Sequence, residues 1–299
     1  MNTDTWIALD WGTSHLRTWL LDCSGQILDQ RHCDQGMNNL QSDQFEGVLL
    51  EQINDWLNAE SITQVLACGM LGSRQGWIEA SYDSAPCAPG TVLTKAPVSD
   101  PRIDVHICPG IKQLAPADVM RGEETQVAGL LKDAADLNTV VCLPGTHCKW
   151  VRIVNGKISE FQTFLTGELY GLLAEQSVLR HSLDTTAWDE QAFKSAIDES
   201  MAQPQSISTQ LFALRAQTLI GNLSAAAANA RLSGLLIGLE LANSKDFWSG
   251  QQVTIIGESR LSEHYNMALQ MQCVTTVQAN SETMTLKGLS LAHRQLNGA

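Results

Sequence analysis

Short apolar runs and helical apolar repeats alternate along this chain. The apolar runs 6–9 and 16–21 flank a short polar turn, and the pattern at 26–32 predicts a third strand. Apolar residues then recur at helical spacing from Phe45 to Leu57, and 64–68 predicts a buried strand. Three strands, a helix and a further strand in this order predict an α/β layer.

A similar series begins again near the middle of the chain. A predicted strand at 137–143 leads into a Gly-Thr turn, and Asn155-Gly156 is a strong signal for a hairpin. We therefore predict two α/β domains, 1–135 and 136–299, with the last helix as a candidate to return to the first domain. The other predicted elements are strands at 105–108, 150–154, 157–164, 253–256 and 273–277, helices at 127–135, 166–179, 188–219, 222–242, 261–270 and 281–296, and an irregular segment at 84–101.

Composition restricts the class of protein. The 299 residues are 44% hydrophobic and 17% charged, which is typical of a folded globular chain. A net charge of -13 disfavours nucleic acid as a partner, because phosphate backbones attract Lys and Arg. The chain has no signal-like start and no apolar run of membrane-spanning length, and its eight scattered cysteines form no Cys-x-x-Cys pair. These features predict a cytoplasmic protein with reduced thiols, no membrane partner and no structural zinc.

Near the N-terminus, an apolar strand ends at Asp10 and is followed by Gly12, Thr13 and Ser14. Such a turn directs backbone N–H groups and hydroxyls into one concavity, which suits phosphate oxygens. A carboxylate at the strand end is placed to hold Mg²⁺. The alternative is an ordinary hairpin in which Asp10 only starts the turn.

A glycine-rich loop, 69–77, follows the next strand and supplies polar side chains. Gly72 permits close approach to the backbone, Ser73 is a donor, and the planar guanidinium of Arg74 suits a substrate carboxylate. The alternative is a structural loop with an arginine at the surface.

Two adjacent acids, Glu123 and Glu124, stand at the start of a predicted helix. Acids are common there because they favour the positive end of the helix dipole. A carboxylate in this position can also accept a proton from a substrate hydroxyl.

The second half carries two further candidate segments. Gly145 and Thr146 form a second Gly-Thr turn after a strand, and Lys149 could add positive charge. A buried strand also runs into Gly257, and this strand-glycine-helix order is typical of nucleotide sites. The chain lacks the P-loop, Gly-x-Gly-x-x-Gly, His-Glu-x-x-His and Gly-x-Ser-x-Gly patterns.

Taken together, these segments resemble the actin/hexokinase/Hsp70-type nucleotide-binding superfamily, and within it the 2-dehydro-3-deoxygalactonokinases. The segments that carry the resemblance are 7–17, 69–77, 119–126, 143–151, 164–169 and 233–239. The resemblance implies two ribonuclease-H-like α/β domains with an interdomain cleft. It also implies transfer of the ATP γ-phosphoryl group to the 6-hydroxyl of 2-dehydro-3-deoxy-D-galactonate, a step of galactonate catabolism.

The resemblance also implies roles for single residues. Asp10 corresponds to the Mg²⁺-associated acid, and Glu123 or Glu124 takes the place of the usual aspartate base. The second phosphate turn lacks the usual aspartate. The remaining candidates are the phosphate-binding Gly12, Thr13, Ser14, Gly145, Thr146 and Lys149, the adenosine-binding Gly257, Glu258 and Ser259, and the substrate-binding Arg17, Gly72, Ser73, Arg74 and Arg121.

Two other functions fit the same segments. A polyphosphatase or NTP hydrolase would use water in place of the sugar hydroxyl, and a non-catalytic ATP-binding regulator would bind nucleotide without turnover. The kinase hypothesis requires ATP, Mg²⁺ and a small sugar-acid substrate, and a homodimer is compatible with the sequence.

Overall fold

The computed structural model describes residues 5–90, 92–132, 134 and 136–298, and the chain folds as a mixed α/β protein. The strands are β1 Trp6–Trp11, β2 Leu16–Leu21, β3 Ile27–Cys33, β4 Thr63–Gly69, β5 Tyr82–Ser84, β6 Thr94–Lys95, β7 Ile103–Ile107, β8 Gly110–Leu114, β9 Ala117–Met120, β10 Thr139–Leu143, β11 Cys148–Val154, β12 Lys157–Phe164, β13 Val253–Gly257 and β14 Thr276–Asn280. The helices are α1 Phe45–Ile53, α2 Glu123–Leu131, α3 Thr166–Glu175, α4 Glu190–Ala202, α5 Ile207–Ile220, α6 Ala225–Asn243, α7 Lys245–Trp248, α8 Ser259–Met271 and α9 Ser281–Leu296.

The chain forms two compact units. The first, unit 1, comprises 1–138, 153–160 and 281–299, and the second, unit 2, comprises 139–152 and 161–280. The C-terminal helix α9 therefore belongs to the unit that contains the N-terminus. Within the described residues, no helix is both long and apolar enough to cross a bilayer.

Each unit is built on a sheet, and the two sheets share one strand order apart from the short edge strand β6 of the first. The first sheet runs β3-β2-β1-β4-β7-β6 and the second runs β12-β11-β10-β13-β14. In the first sheet β1 pairs antiparallel with β2 and parallel with β4, and in the second β10 pairs parallel with β13. Numbered along the chain within each sheet and without β6, both orders read 3-2-1-4-5. The sequence showed one repeated turn, and the structure shows that the strand order around it is repeated as well.

Strand β1 is buried on both faces. Ile7, Leu9 and Trp11 enter one core with α1, whereas Trp6 and Ala8 enter a second core with α9. Strands covered on both faces read as continuous apolar runs, which is why 6–9 showed no polar alternation.

Several predicted element bounds differ from the structure. The predicted strand at 273–277 is wrong by three residues, because Cys273 adopts a left-handed conformation (φ 59°) in the turn that closes α8. The predicted helix at 127–135 begins earlier, at Glu123, and its predicted end at Ala135 lies outside the described residues. The small sheet β5-β8-β9 was not predicted, because its strands are short and partly exposed.

Helices α2 and α9 meet through two glycines. A Cβ at Gly129 would lie 1.9 Å from the carbonyl oxygen of Met284, and one at Gly288 would lie 2.0 Å from that of Thr125. Only the absence of these side chains allows the two helix backbones to approach so closely. This contact fixes the position of α2.

We predict that Gly129→Ala destabilises unit 1, because the added methyl group must separate α2 from α9. Overpacking of this kind costs about 1–3 kcal/mol, and it would appear as a lower midpoint of thermal unfolding. The matched control is Gly47→Ala on α1, where an added Cβ meets nothing within 4 Å. An unchanged midpoint in Gly129→Ala would contradict the packing described here.

Candidate active site

Three backbone segments of unit 1 converge where β1, β4 and α2 meet. A Cβ at Gly69 would lie 2.6 Å from the carbonyl oxygen of Trp11, and one at Gly122 would lie 3.3 Å from the Cα of Gly69. Both glycines have positive φ angles, 97° and 108°, which other residues rarely adopt. The convergence brings the end of β1 beside the start of α2.

Asp10 lies between two strands that each supply a neighbour. It stands opposite Arg17 on β2 and opposite Cys68 on β4. The Arg17 Nη1 atom lies 3.6 Å from Asp10 Oδ2, and the Cys68 Sγ atom lies 3.9 Å from Oδ1. The Asp10 side chain is 21% exposed, so a small ligand can reach its carboxylate.

Burial raises the pKa of Asp10, and the nearby charges of Glu123 and Glu282 raise it further, whereas Arg17 lowers it. Glu282 comes from the first turn of α9 and accepts a hydrogen bond from Trp19 Nε1 at 3.2 Å. Two neighbouring carboxylates, Glu123 and Glu282, therefore act on Asp10 at this point. A cation would relieve their repulsion.

The turn after Asp10 is held by backbone hydrogen bonds. Gly12 N–H donates to the His15 carbonyl at 2.9 Å, and the N–H groups of Gly36 and Met37 donate to the carbonyls of Ser14 and Gly12. Thr13 and Ser14 are exposed, so both hydroxyls are available to a ligand. The turn is thus fixed in position while its polar groups stay accessible.

The two acids of α2 occupy different environments. Glu124 is 0% exposed, and its carboxylate accepts hydrogen bonds from Gly122 N–H at 2.7 Å and from Thr125 Oγ1 at 3.1 Å. Burial, followed by the charge of Glu123, raises the pKa of Glu124 to about 8. Glu123 is half-buried, accepts a hydrogen bond from Arg121 N–H at 3.1 Å and interacts electrostatically with Asp10.

The candidate substrate-binding residues in and near 69–77 lie in different environments. Arg74 is 78% exposed, and its Nε atom lies 3.4 Å from Glu79 Oε1. Ser73 is buried, and its hydroxyl lies 3.1 Å from the sulfur of Met37. The guanidinium of Arg121 is buried, donates to the Ala80 carbonyl at 2.8 Å and lies over the ring of Tyr82.

Gly72 explains how Arg121 fits under this loop. A Cβ at Gly72 would lie 2.9 Å from Arg121 Nη1. Among the residues that the structure describes, none accepts a hydrogen bond from the buried Nε and Nη1 atoms of Arg121. In this geometry Arg121 supports the loop, whereas Arg17 lies beside Asp10.

In unit 2, the second Gly-Thr turn packs against the start of α3. Glu168 N–H donates to the Thr146 carbonyl at 2.9 Å, and a Cβ at Gly167 would lie 2.3 Å from the Gly145 carbonyl oxygen. Thr146 is exposed, whereas Lys149 is buried on β11 with its Nζ atom 3.5 Å from the His147 carbonyl. The turn is accessible, and its position depends on α3.

The third candidate segment of unit 2 connects β13 to α8. Gly257 is buried, and a Cβ there would lie 2.6 Å from Ser262 Oγ and 3.5 Å from Pro144 Cδ. Glu258 and Ser259 are exposed at the helix start. Gly257 thus brings this connection against the residue that precedes the second Gly-Thr turn.

Three residues that contribute to the unit 1 cluster were absent from the sequence prediction. They are Cys68, Thr125 and Glu282. Thr125 directly follows Glu124, and Cys68 directly precedes the glycine-rich loop 69–77, so their adjacency was an available signal. Glu282 is remote in the sequence, and no local motif marks it.

Comparison with known proteins places the chain in a family. A family model described as 2-keto-3-deoxy-galactonokinase matches residues 10–292. The chain belongs to the 2-keto-3-deoxy-galactonokinase family. The match spans both units and includes the Asp10, Glu123, Gly145 and Gly257 segments.

Two named relatives align with this 2-keto-3-deoxy-galactonokinase family chain over nearly its whole length. The chain is 35% identical to a probable 2-dehydro-3-deoxygalactonokinase of Rhizobium meliloti, covering 97% of this chain and 96% of the relative. It is 34% identical to the 2-dehydro-3-deoxygalactonokinase of Escherichia coli, covering 99% and 100%. A crystal structure assigned to such a protein from Sinorhizobium meliloti superposes with a TM-score of 0.89 at 34% identity, covering 97% of this chain and 96% of that one.

We predict that Glu124 makes the free energy of unfolding of this galactonokinase-family chain vary with pH. Because the pKa of Glu124 rises from 4.5 to about 8 on folding, the unfolded state ionises first as the pH increases. The contribution of Glu124 to stability is therefore complete below about pH 4.5 and is lost as the pH rises through about 8.

Glu124→Gln should remove this contribution. The melting temperature of the variant relative to wild type should therefore increase from pH 5 to pH 8.5, measured by thermal unfolding at several pH values. Glu60→Gln, at an exposed position, is the control and should show no such trend. Parallel pH curves for wild type and Glu124→Gln would contradict the prediction.

Proposed function

We propose that this protein is an ATP-dependent kinase that phosphorylates 2-dehydro-3-deoxy-D-galactonate at its 6-hydroxyl. The family membership gives the reaction class. The observation that carries the proposal for this chain is the convergence of Asp10, Arg17 and Glu123 beside an accessible Gly-Thr turn. Phosphoryl transfer needs positioning, charge neutralisation and an oriented acceptor, and these groups can provide all three.

The carboxylates of unit 1 fit a magnesium ion. Mg²⁺ prefers oxygen ligands, commonly one or two carboxylates together with waters and substrate phosphates. The Asp10 side chain is 21% exposed, and burial, together with the charges of Glu123 and Glu282, raises its pKa, so a cation here would stabilise the ionised carboxylate. When bound, Mg²⁺ would neutralise charge on the phosphates, and Asp10 is the residue that we propose to hold it.

Glu123 is the proposed base of the pair. It is partly accessible and close enough to Asp10 to influence its pKa, whereas Glu124 is fully buried with both oxygens engaged by protein donors. Glu123 would orient the acceptor hydroxyl and accept its proton. Glu124 would hold Gly122 and Thr125 in the conformation that presents Glu123.

Recognition of the sugar acid is proposed to involve arginine. Arg17 and Arg74 present accessible guanidinium groups that can pair with a carboxylate. Gly72 and Ser73 belong to the same loop as Arg74, and Gly72 leaves room for Arg121. Arg121 would act by supporting this loop from beneath. The substrate carboxylate would thus add binding energy that orients the reacting hydroxyl.

Each Gly-Thr turn is proposed as a phosphate-binding segment of its own unit. Gly12, Thr13 and Ser14 of unit 1, and Gly145 and Thr146 of unit 2, offer N–H groups and hydroxyls for phosphates. Lys149 is buried on β11, the strand that follows the second of these turns, and its positive charge would make the electrostatic potential at the turn more positive. Gly257, Glu258 and Ser259 are the proposed adenosine contacts.

The proposed setting is the cytoplasm. All eight cysteines are free thiols, as is usual for proteins in a reducing compartment. The proposed partners are the sugar acid and Mg-ATP.

The first test is ADP production with Mg-ATP and three conditions: 2-dehydro-3-deoxy-D-galactonate, its gluconate epimer, and no acceptor. We expect turnover mainly with the galactonate compound. Equal turnover with both epimers would indicate a less selective sugar-acid kinase. ADP without an acceptor would instead indicate a hydrolase, and nucleotide binding without ADP in any condition would indicate a regulator.

A second test concerns Asp10 and Glu123. Asp10→Asn should lower kcat by about a hundredfold or more, since it removes charge from the site of phosphoryl transfer. Glu123→Gln should lower kcat by about 10²-fold to 10⁴-fold, the usual contribution of a general base. Thermal unfolding should show that both variants remain folded.

The matched control is Asp22→Asn, in the exposed turn between β2 and β3. Asp22 accepts hydrogen bonds within its own turn, and asparagine can make the same kind of turn. We expect its kcat to remain within about twofold of wild type, given that surface changes away from a site have small effects. Near-normal turnover by Asp10→Asn would contradict its proposed role.

A further inference from the structure

Glu240 is a buried acid of α6 that the proposed reaction does not use. It is 1% exposed, and its two oxygens accept hydrogen bonds from three uncharged donors. Trp150 Nε1 donates to Oε1 at 2.8 Å, the Tyr265 hydroxyl donates to Oε2 at 2.7 Å, and the Thr166 hydroxyl also donates to Oε2. Burial raises the pKa of Glu240, and hydrogen bonding from the Cys148 thiol and from these three donors opposes this effect.

The partners of Glu240 come from three different elements of unit 2. Trp150 lies on β11, which follows the second Gly-Thr turn, and Thr166 is the first residue of α3. Tyr265 lies on α8, the helix that follows Gly257. One carboxylate thus joins the elements next to every proposed nucleotide residue of this unit.

Each connection leads directly to a candidate segment. From Thr166, the next two residues of α3 hold the Gly-Thr turn, through the Glu168–Thr146 hydrogen bond and the close contact between Gly167 and Gly145. The His147 ring adds a second link, with its Nε2 atom 2.6 Å from Glu168 Oε2. A shift of the α3 start would therefore move the turn.

The α8 connection is equally short. Ser262 N–H donates to the Glu258 carbonyl at 2.9 Å, and Ser262 Oγ fills the space where a Cβ of Gly257 would lie. Tyr265 is one helical turn further along, so its bond to Glu240 fixes the helix that carries these contacts. The distance between Gly257 and Pro144 then depends on the buried carboxylate of Glu240.

A metal at this point is a weaker interpretation. Cys142, Cys148 and Glu240 place one potential ligand atom each within 4.8 Å of one another. Burial raises the pKa of both thiols, whereas a metal requires thiolates, and the Glu240 oxygens already accept three hydrogen bonds. The donor arrangement instead fits a buried hydrogen-bond hub.

We infer that Glu240 is a positioning residue for nucleotide binding. It holds the second Gly-Thr turn and the start of α8 in one fixed arrangement through its three hydrogen bonds. The inference rests on the proposed kinase function, because that function makes these two segments the nucleotide contacts. Loss of the Glu240 hydrogen bonds should therefore weaken the binding of ATP more than the binding of the sugar acid.

The test compares variants that each alter the hydrogen bonding of Glu240. Tyr265→Phe and Thr166→Val delete a hydroxyl with little change of shape, and Glu240→Gln removes the charge. Thr166→Ser keeps the hydroxyl and should restore wild-type behaviour. The control Ser200→Ala removes another buried hydrogen bond to α6, from Ser200 Oγ to the Leu235 carbonyl at 2.7 Å.

Four quantities are measured for each protein: KM for ATP, KM for the sugar acid, the Kd of Mg-ADP by calorimetry, and the melting temperature. For Tyr265→Phe and Thr166→Val we expect KM for ATP and Kd for ADP to rise about tenfold, as for loss of one hydrogen bond to a charged group. KM for the sugar acid should stay within about twofold. Ser200→Ala should lower the melting temperature without changing KM for ATP.

The outcomes separate this inference from the proposed function. If wild type phosphorylates the sugar acid but the hub variants change KM for ATP no more than Ser200→Ala does, the inference is overturned and the function stands. If wild type binds ADP without kinase activity, the Kd series still decides the role of Glu240. If wild type neither binds nucleotide nor turns over, both are overturned.

Discussion

The arrangement of unit 1 depends on the contact of backbone with backbone at Trp11, Gly69 and Gly122. Any side chain at Gly69 would meet the Trp11 carbonyl at 2.6 Å, and the positive φ angles exclude most residues in any case. This contact brings the end of β1 beside the start of α2. Because the glycines occupy so little space, Asp10 and Glu123 can influence each other across three separate segments.

Two units with one strand order use buried carboxylates in different ways. In unit 1, Glu124 accepts hydrogen bonds from its own helix start, and its pKa rises to about 8 because it is buried beside Glu123. In unit 2, Glu240 accepts hydrogen bonds from three elements. Both acids lie behind a proposed ligand-binding segment, where a buried polar group fixes the geometry only if it is fully satisfied.

Charge is distributed unevenly between the two turns. The first turn follows Asp10 and lies among acids, with Arg17 as the neighbouring cation. The second turn follows an apolar strand end and has the buried Lys149 behind it. The proposed roles differ accordingly: the first turn would bind phosphate beside a cation, whereas the second would bind phosphate through N–H groups and hydroxyls alone.

Local sequence determined the elements that depend on short-range physics. The β1–β2 hairpin follows from apolar runs around Gly12, and the β11–β12 turn follows from Asn155-Gly156, both of which adopt positive φ. The resemblance of the motifs to a kinase family was confirmed by the family match. Asp10, Glu123 and Glu124 were named from the sequence because they stand at a strand end and a helix start, whereas Arg17 and Arg121 were named from the resemblance.

Only the tertiary structure decided which of these residues meet. Neither the pairing of Arg74 with Glu79 nor the burial of Arg121 against Ala80 and Tyr82 follows from the loop sequence, since each depends on how the loop folds. The contributions of Glu282 and Glu240 also come from distant helices. Burial and long-range charge are properties of the packed chain, so the sequence determined the candidates and the packing decided their environments.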